Sequence, residues 1–174
     1  MEDKKPAEEI SPERKLVREA IREVLRNNKG IDHIARTNPQ EDGTFTPFIT
    51  VIGHSFKSVI HYNNETITLE MYKPLVLDAK RFEEFREEIE RIDRSISPVG
   101  GEGKSVRFCV TDKPKRLTIT ALIPINVKDG KEKIAEVFWA RLSFIFTIIS
   151  GLYFGTFDGS DEEVAAQFSS LRTA

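Results

Sequence analysis

From Leu16 onward, apolar residues recur at three- and four-residue steps: Leu16, Val17, Ala20, Ile21, Val24 and Leu25 share one side of a helix. Ser11-Pro12-Glu13 supplies its start. Serine can accept an N-terminal N–H, proline needs no partner in the first turn, and glutamate sits at the positive end of the helix dipole. Asn27-Asn28-Lys29-Gly30 ends the run. Asn38-Pro39 and Asp42-Gly43 form turns, which predicts a short strand and then an exposed loop between Ile31 and Pro47. The period then changes. Phe48 to Ile52 reads as a strand, and His54 to Tyr62 and Glu65 to Tyr72 flank Asn63-Asn64, a dipeptide that tolerates positive φ and suits a hairpin turn. Ile67, Leu69 and Met71 alternate with Thr66, Thr68 and Glu70, the pattern of an antiparallel strand buried on one face.

Helical spacing returns after Asp78, a capping residue: Phe82, Phe85, Ile89, Ile92 and Ile96 form one stripe among many Glu and Arg residues. Ser97 to Ser105 is a glycine-rich connector. Val106 to Val110, a turn at Asp112-Lys113-Pro114, and Arg116 to Ile125 predict a second hairpin, with Leu117, Ile119, Ala121 and Ile123 inward. Asp129-Gly130 opens a third helix running to about Phe154, and Ser160-Asp161-Glu162-Glu163 resembles the capping box of a short terminal helix. The expected order is α-β-β-β-α-β-β-α-α. Local hairpins with helices grouped around them predict an α+β fold, an antiparallel sheet of about five strands with helices on one face. Residues 1–10 are expected to be a mobile tail, 11–157 a single domain, and 158–174 a short helix packed on it.

A chain of 174 residues suits one core that buries about 70% of the unfolded surface. With 26 Lys and Arg against 28 Asp and Glu, no global field recruits nucleic acid or an anionic membrane. The single cysteine, Cys109, cannot form an internal disulfide and sits among apolar strand residues like a small core group. No signal-like segment opens the chain, so a reducing, cytoplasmic compartment is expected.

Motifs that suggest chemistry have simpler readings. Gly100-Gly101-Glu102-Gly103-Lys104-Ser105 ends like a phosphate-binding loop, but Pro98 stands where the first glycine belongs. A strand follows it, where such a loop opens a helix. His54 and His61 are seven apart, so an unbroken strand points them to opposite faces. No metal-ligand string and no nucleophile signature is present, so no catalytic residue, metal or cofactor is assigned. Whether a pocket gathers His33, His54, His61 or Cys109 stays open at this point.

Two features go further. Lys15, Arg18, Arg22, Arg26 and Lys29 fall within a stripe roughly 80° wide opposite the apolar side of the first helix, a solvated face or a docking strip for an acidic partner. In the third helix, Leu142 to Phe157 is sixteen residues without a charge, and apolar side chains cover nearly the whole circumference. Arg141 argues against membrane insertion, so the surplus must be covered by protein. Phe138, Leu142, Ile145, Ile149 and Leu152 fill one side, while Trp139, Phe146 and Tyr153 point elsewhere, toward the interface of an expected two-fold homodimer.

The element order from Ser11 to Phe154 resembles the type III secretion chaperone-like superfamily, which includes the YbjN family. Lys73-Pro74-Leu75-Val76-Leu77 before the helix Arg81 to Arg94 is similar to YbjN-type sequences, as is the hairpin Val106 to Ile125 feeding the long helix. The resemblance rests on topology over about four-fifths of the chain. It implies a small homodimer that binds other proteins without nucleotide or metal. A long first loop, an additional terminal helix and a basic first helix depart from the pattern, so only the fold and the protein-binding class are carried over. The expected function is a non-enzymatic, chaperone-like adaptor that pairs with itself and with an unidentified protein. Two alternatives stand beside it: a ligand-binding domain or small enzyme with a pocket near the glycine-rich loop and histidines, and nucleic-acid binding through the basic stripe.

Overall fold

Ser11 caps α1 (Pro12–Asn27), its Oγ accepting the Arg14 N–H at 3.2 Å. The computed structural model describes residues 10–28, 39, 43–96 and 106–153. The expected tail, the glycine-rich loop 97–105 and the terminal helix lie outside them, apart from Ile10. The order continues with β1 (Phe48–Val51), β2 (His54–Tyr62), β3 (Thr66–Pro74), α2 (Ala79–Ile96), β4 (Val106–Asp112), β5 (Lys115–Pro124), a 3-10 turn (Val127–Asp129) and α3 (Lys131–Tyr153). This is the expected α+β order. β1 stops one residue short of the sequence reading, because Ile52 (φ 51°) and Gly53 (φ 75°) both adopt the left-handed conformation of a tight hairpin turn. Asn63 organises the next turn, its Oδ1 accepting the N–H groups of Glu65 and Thr66 at 2.8 Å each.

The strands form one antiparallel sheet in the order β1-β2-β3-β5-β4. Alternation places Ser58, Met71, Ile119 and Phe108 in one row across four strands, and Ile60, Leu69, Ala121 and Val106 in the next. Both rows are buried. α1 and α3 pack on each other and on this side of the sheet. α3 contributes Ile134, Phe138, Leu142, Ile145, Ile148, Ile149 and Leu152 to the core, and α1 contributes Val17, Ala20, Ile21, Val24 and Leu25. Each of these Val, Leu, Ile and Phe side chains adds about 1.5–3 kcal/mol when fully withdrawn from water. Ser58, polar and buried in the same row, donates its hydroxyl to the Pro47 carbonyl at 2.6 Å, which removes the cost of an unmet hydrogen bond.

The opposite side alternates outward as Val59, Glu70, Thr120 and Arg107, then Lys57, Tyr72, Thr118 and Cys109. Cys109 is exposed, which corrects its reading as a core group. Val106 and Phe108 set the inward register of β4, so the odd-numbered Cys109 must face outward whatever its neighbours.

An edge strand leaves unpaired N–H groups that invite another chain. α2 packs against β4 and covers that edge. Asp93 Oδ1 accepts the Phe108 N–H at 2.9 Å, and the same carboxylate takes a bidentate grip from Arg107, Nε to Oδ1 at 3.0 Å and Nη2 to Oδ2 at 2.8 Å. Replacing Asp93 with Ala leaves the Phe108 N–H without this acceptor. Urea unfolding is expected to show a loss of about 1–3 kcal/mol, and an unchanged midpoint would contradict this role for Asp93.

Candidate binding surfaces

Among the described residues, His54, His61 and Cys109 do not converge. His54 lies at the start of β2 on its core side, His61 is exposed on the other side, and Cys109 stands on β4 with β3 and β5 intervening. His33 is outside the described residues. Among the described residues, no three His, Cys, Asp or Glu side chains gather as metal ligands. His54 instead stacks flat on Tyr153 at the end of α3, with ring centroids 3.7 Å apart and planes 10° apart. Tyr153 is therefore half-buried against its own chain, as Phe146 is, while Trp139 is exposed.

The basic stripe is not one surface. Lys15 and Arg26 are exposed and Lys29 is outside the described residues, whereas the Arg18 and Arg22 side chains are only 20% and 23% exposed. They fold along α1, where Glu19 Oε1 sits 3.7 Å from Arg18 Nε and accepts a hydrogen bond from Arg22 Nη1 at 3.1 Å. This corrects the picture of five solvated charges. Long aliphatic stems cover apolar surface beside the buried side of the helix and bring the guanidinium groups toward β2. Arg14, one turn earlier, was not singled out from the sequence, although it continues the same four-residue step. Its guanidinium carbon lies 5.2 Å from the centre of the Tyr62 ring. Tyr62 ends β2 on the core side, and its hydroxyl is buried without a hydrogen-bond partner. A buried hydroxyl left unmet costs about 1–3 kcal/mol. Burial raises the Tyr62 pKa above 10.0, against the opposing pull of Arg14, Arg18 and Arg22.

On α3, Trp139 is 39% exposed and meets Phe146 edge-to-face, ring centroids 6.0 Å apart. The two are seven residues apart and share a stripe with the small residues Ser143 and Ser150. No charged residue lies between Leu142 and Tyr153. α3 is also long and apolar enough to cross a membrane by length and composition, with 39% of its most apolar stretch buried inside the protein.

The outward side of the sheet is polar but carries a small network. Tyr72 donates its hydroxyl to Glu70, and the Arg116 guanidinium lies 4.5 Å from the Tyr72 ring centre. The hydrogen bond to Glu70 and then burial raise the Tyr72 pKa, so it stays a phenol at neutral pH. No family model, curated protein or solved structure matches this chain.

Burial, then the Lys73 charge, holds the His54 pKa below 6.5. The folded state thus favours the neutral ring. The stability this contributes is fully present above 6.5 and is lost as pH falls through the folded-state pKa. An NMR titration is expected to place the His54 midpoint below 6.5, and Lys73→Gln to move it upward; a wild-type midpoint at or above 6.5 would contradict the stacking environment.

Proposed function

We propose that this chain is a non-enzymatic, chaperone-like protein-binding adaptor that works as a cytoplasmic homodimer. The observation that carries the reading is the Trp139–Phe146 pair on α3. Trp139 is well exposed although its helix supplies much of the core, and its ring is held in place by Phe146. Rigid aromatic groups flanked by small side chains are what a protein interface uses as anchors, because they bury much area while losing few rotamers. A two-fold pairing of α3 with its copy places the same residues on both sides. It also covers the charge-free stretch without a second protein.

The α+β element order expected from the sequence is the observed one, and the chaperone-like part of the reading rests on the resemblance alone. The exposed free thiol of Cys109 favours a reducing compartment. Nucleic-acid binding gains no support from α1, since Arg18 and Arg22 are partly withdrawn from solvent beside Glu19. The membrane reading of α3 is weakened by its packing with α1 and by Arg141, a charge in mid-helix.

Sedimentation equilibrium at micromolar concentration is expected to give twice the 19.9 kDa chain mass. Phe146→Glu should give a soluble monomer with unchanged helical circular dichroism, and Trp139→Ala should weaken association by about tenfold or more. A wild-type monomer at high micromolar concentration would remove the homodimer from this account.

A further inference from the structure

β2 and β5 start at the end of the sheet where β3 and β4 stop. The β1–β2 turn at Ile52-Gly53, the β3–α2 loop and the β4–β5 turn therefore share that end. The last two are tied together. The Leu75 N–H donates to the Lys115 carbonyl at 3.0 Å, and the Lys115 ammonium lies 5.0 Å from the centre of the Phe82 ring at the start of α2. α3 arrives at the same place, with Tyr153 stacked on His54 and no charge in the helix after Arg141.

Two apolar side chains stand out into water here. Val76 is 97% exposed, although its neighbour Leu75 packs on the core and anchors the loop. Ile52 is 42% exposed at φ 51°, a left-handed conformation that asparagine or glycine adopts at less cost. It is not part of the packed core that could offset this strain. Among the described residues the other exposed large apolar side chains are Leu122 and Trp139.

Charge at this end has one sign. Residues 73–81 and 111–116 hold six basic side chains against Asp78 and Asp112, in a chain whose net charge is −2. Lys80, Arg81, Lys113 and Lys115 are exposed. Asp78 is engaged in capping α2, its Oδ1 accepting the Arg81 N–H at 2.9 Å. No acid lies between Thr44 and His61, and the acids of α2 begin at Glu83, which is paired with Arg86. A protein interface is built on a contiguous apolar centre inside a polar rim. Here the apolar groups project singly from separate loops among basic side chains. The surface of an anionic bilayer accepts that arrangement, since isolated apolar side chains enter the acyl boundary while the cations stay with the headgroups.

We propose that Ile52 and Val76, together with Lys80, Arg81, Lys113 and Lys115, form a surface that docks the protein on an anionic lipid bilayer. The contact is peripheral and does not require α3 to cross the bilayer. It uses neither Trp139 nor Phe146, so it stands apart from the dimer reading.

The test is cosedimentation of the full chain with vesicles of phosphatidylcholine alone and with about 30% phosphatidylserine added. The expected result is at least about tenfold stronger partition onto the anionic vesicles, lost in about 0.5 M salt. Lys113→Glu combined with Lys115→Glu should weaken it by more than about tenfold. Val76→Asp should weaken it about tenfold with an unchanged melting temperature, because the side chain already stands in water. Ile52→Asn should bind severalfold more weakly while melting at the same or a higher temperature, which a merely structural role for Ile52 would not produce. Equal partition onto both kinds of vesicle, or onto neither, overturns the proposal. So does wild-type binding by the Val76→Asp or the Ile52→Asn chain. Binding to polyglutamate that is tighter, per acidic group, than binding to the anionic vesicles would assign an acidic protein partner and also overturn it; weaker binding agrees with the bilayer.

Discussion

The burial of α3 between α1 and the apolar side of the sheet is the contact from which the other elements take their places. Phe138, Leu142, Ile145 and Ile149 are fully withdrawn from water there, together with Ile21 and Leu25 of α1 and the inward rows of the four longer strands. A sheet has two sides, and only one of these is apolar. A helix that is apolar nearly all round can therefore satisfy one part of its surface on the sheet and another on α1, but a third part remains. Trp139, 39% exposed, occupies it, with the partly buried Phe146 against its ring. The functional reading follows from this geometric surplus rather than from any reactive group.

The polar parts of the molecule answer a different constraint, that each buried or edge-facing donor needs an acceptor. Asp93 meets it for β4, taking the Phe108 N–H and holding Arg107 in the same carboxylate, so the covered edge is fixed electrostatically as well as by the apolar side of α2. Ser58 meets it through Pro47. Tyr62, 7% exposed at the margin of the core, does not. Thr118, on β5, leaves its Oγ1 in the same condition.

Much of the architecture was legible because period and punctuation agreed. Helical spacing and the Ser11-Pro12 start both placed α1, and strict alternation in Ile67, Leu69 and Met71 fixed which side of β3 is buried. Cys109 was misread because its identity was given more weight than its register, when parity with Val106 and Phe108 decides its side. Arg18 and Arg22 were read as solvated because a helical wheel carries angles and no neighbours; it cannot show that Tyr62, forty residues on, draws that flank of α1 inward. The same limit hid the His54–Tyr153 stack, which joins the first hairpin to the last turn of α3. Ile52 resisted for another reason, since a β-branched residue at φ 51° contradicts local preference and is imposed by the hairpin around it.

Trp139 is the chain's one tryptophan, so its emission reports directly on the uncovered side of α3. Fluorescence recorded across a dilution series from high micromolar to low nanomolar protein tests whether a second copy covers it. Pairing through α3 predicts a blue-shifted, poorly quenched spectrum at high concentration that moves to the red and becomes open to acrylamide on dilution. A spectrum that stays red and equally quenchable at every concentration would contradict it.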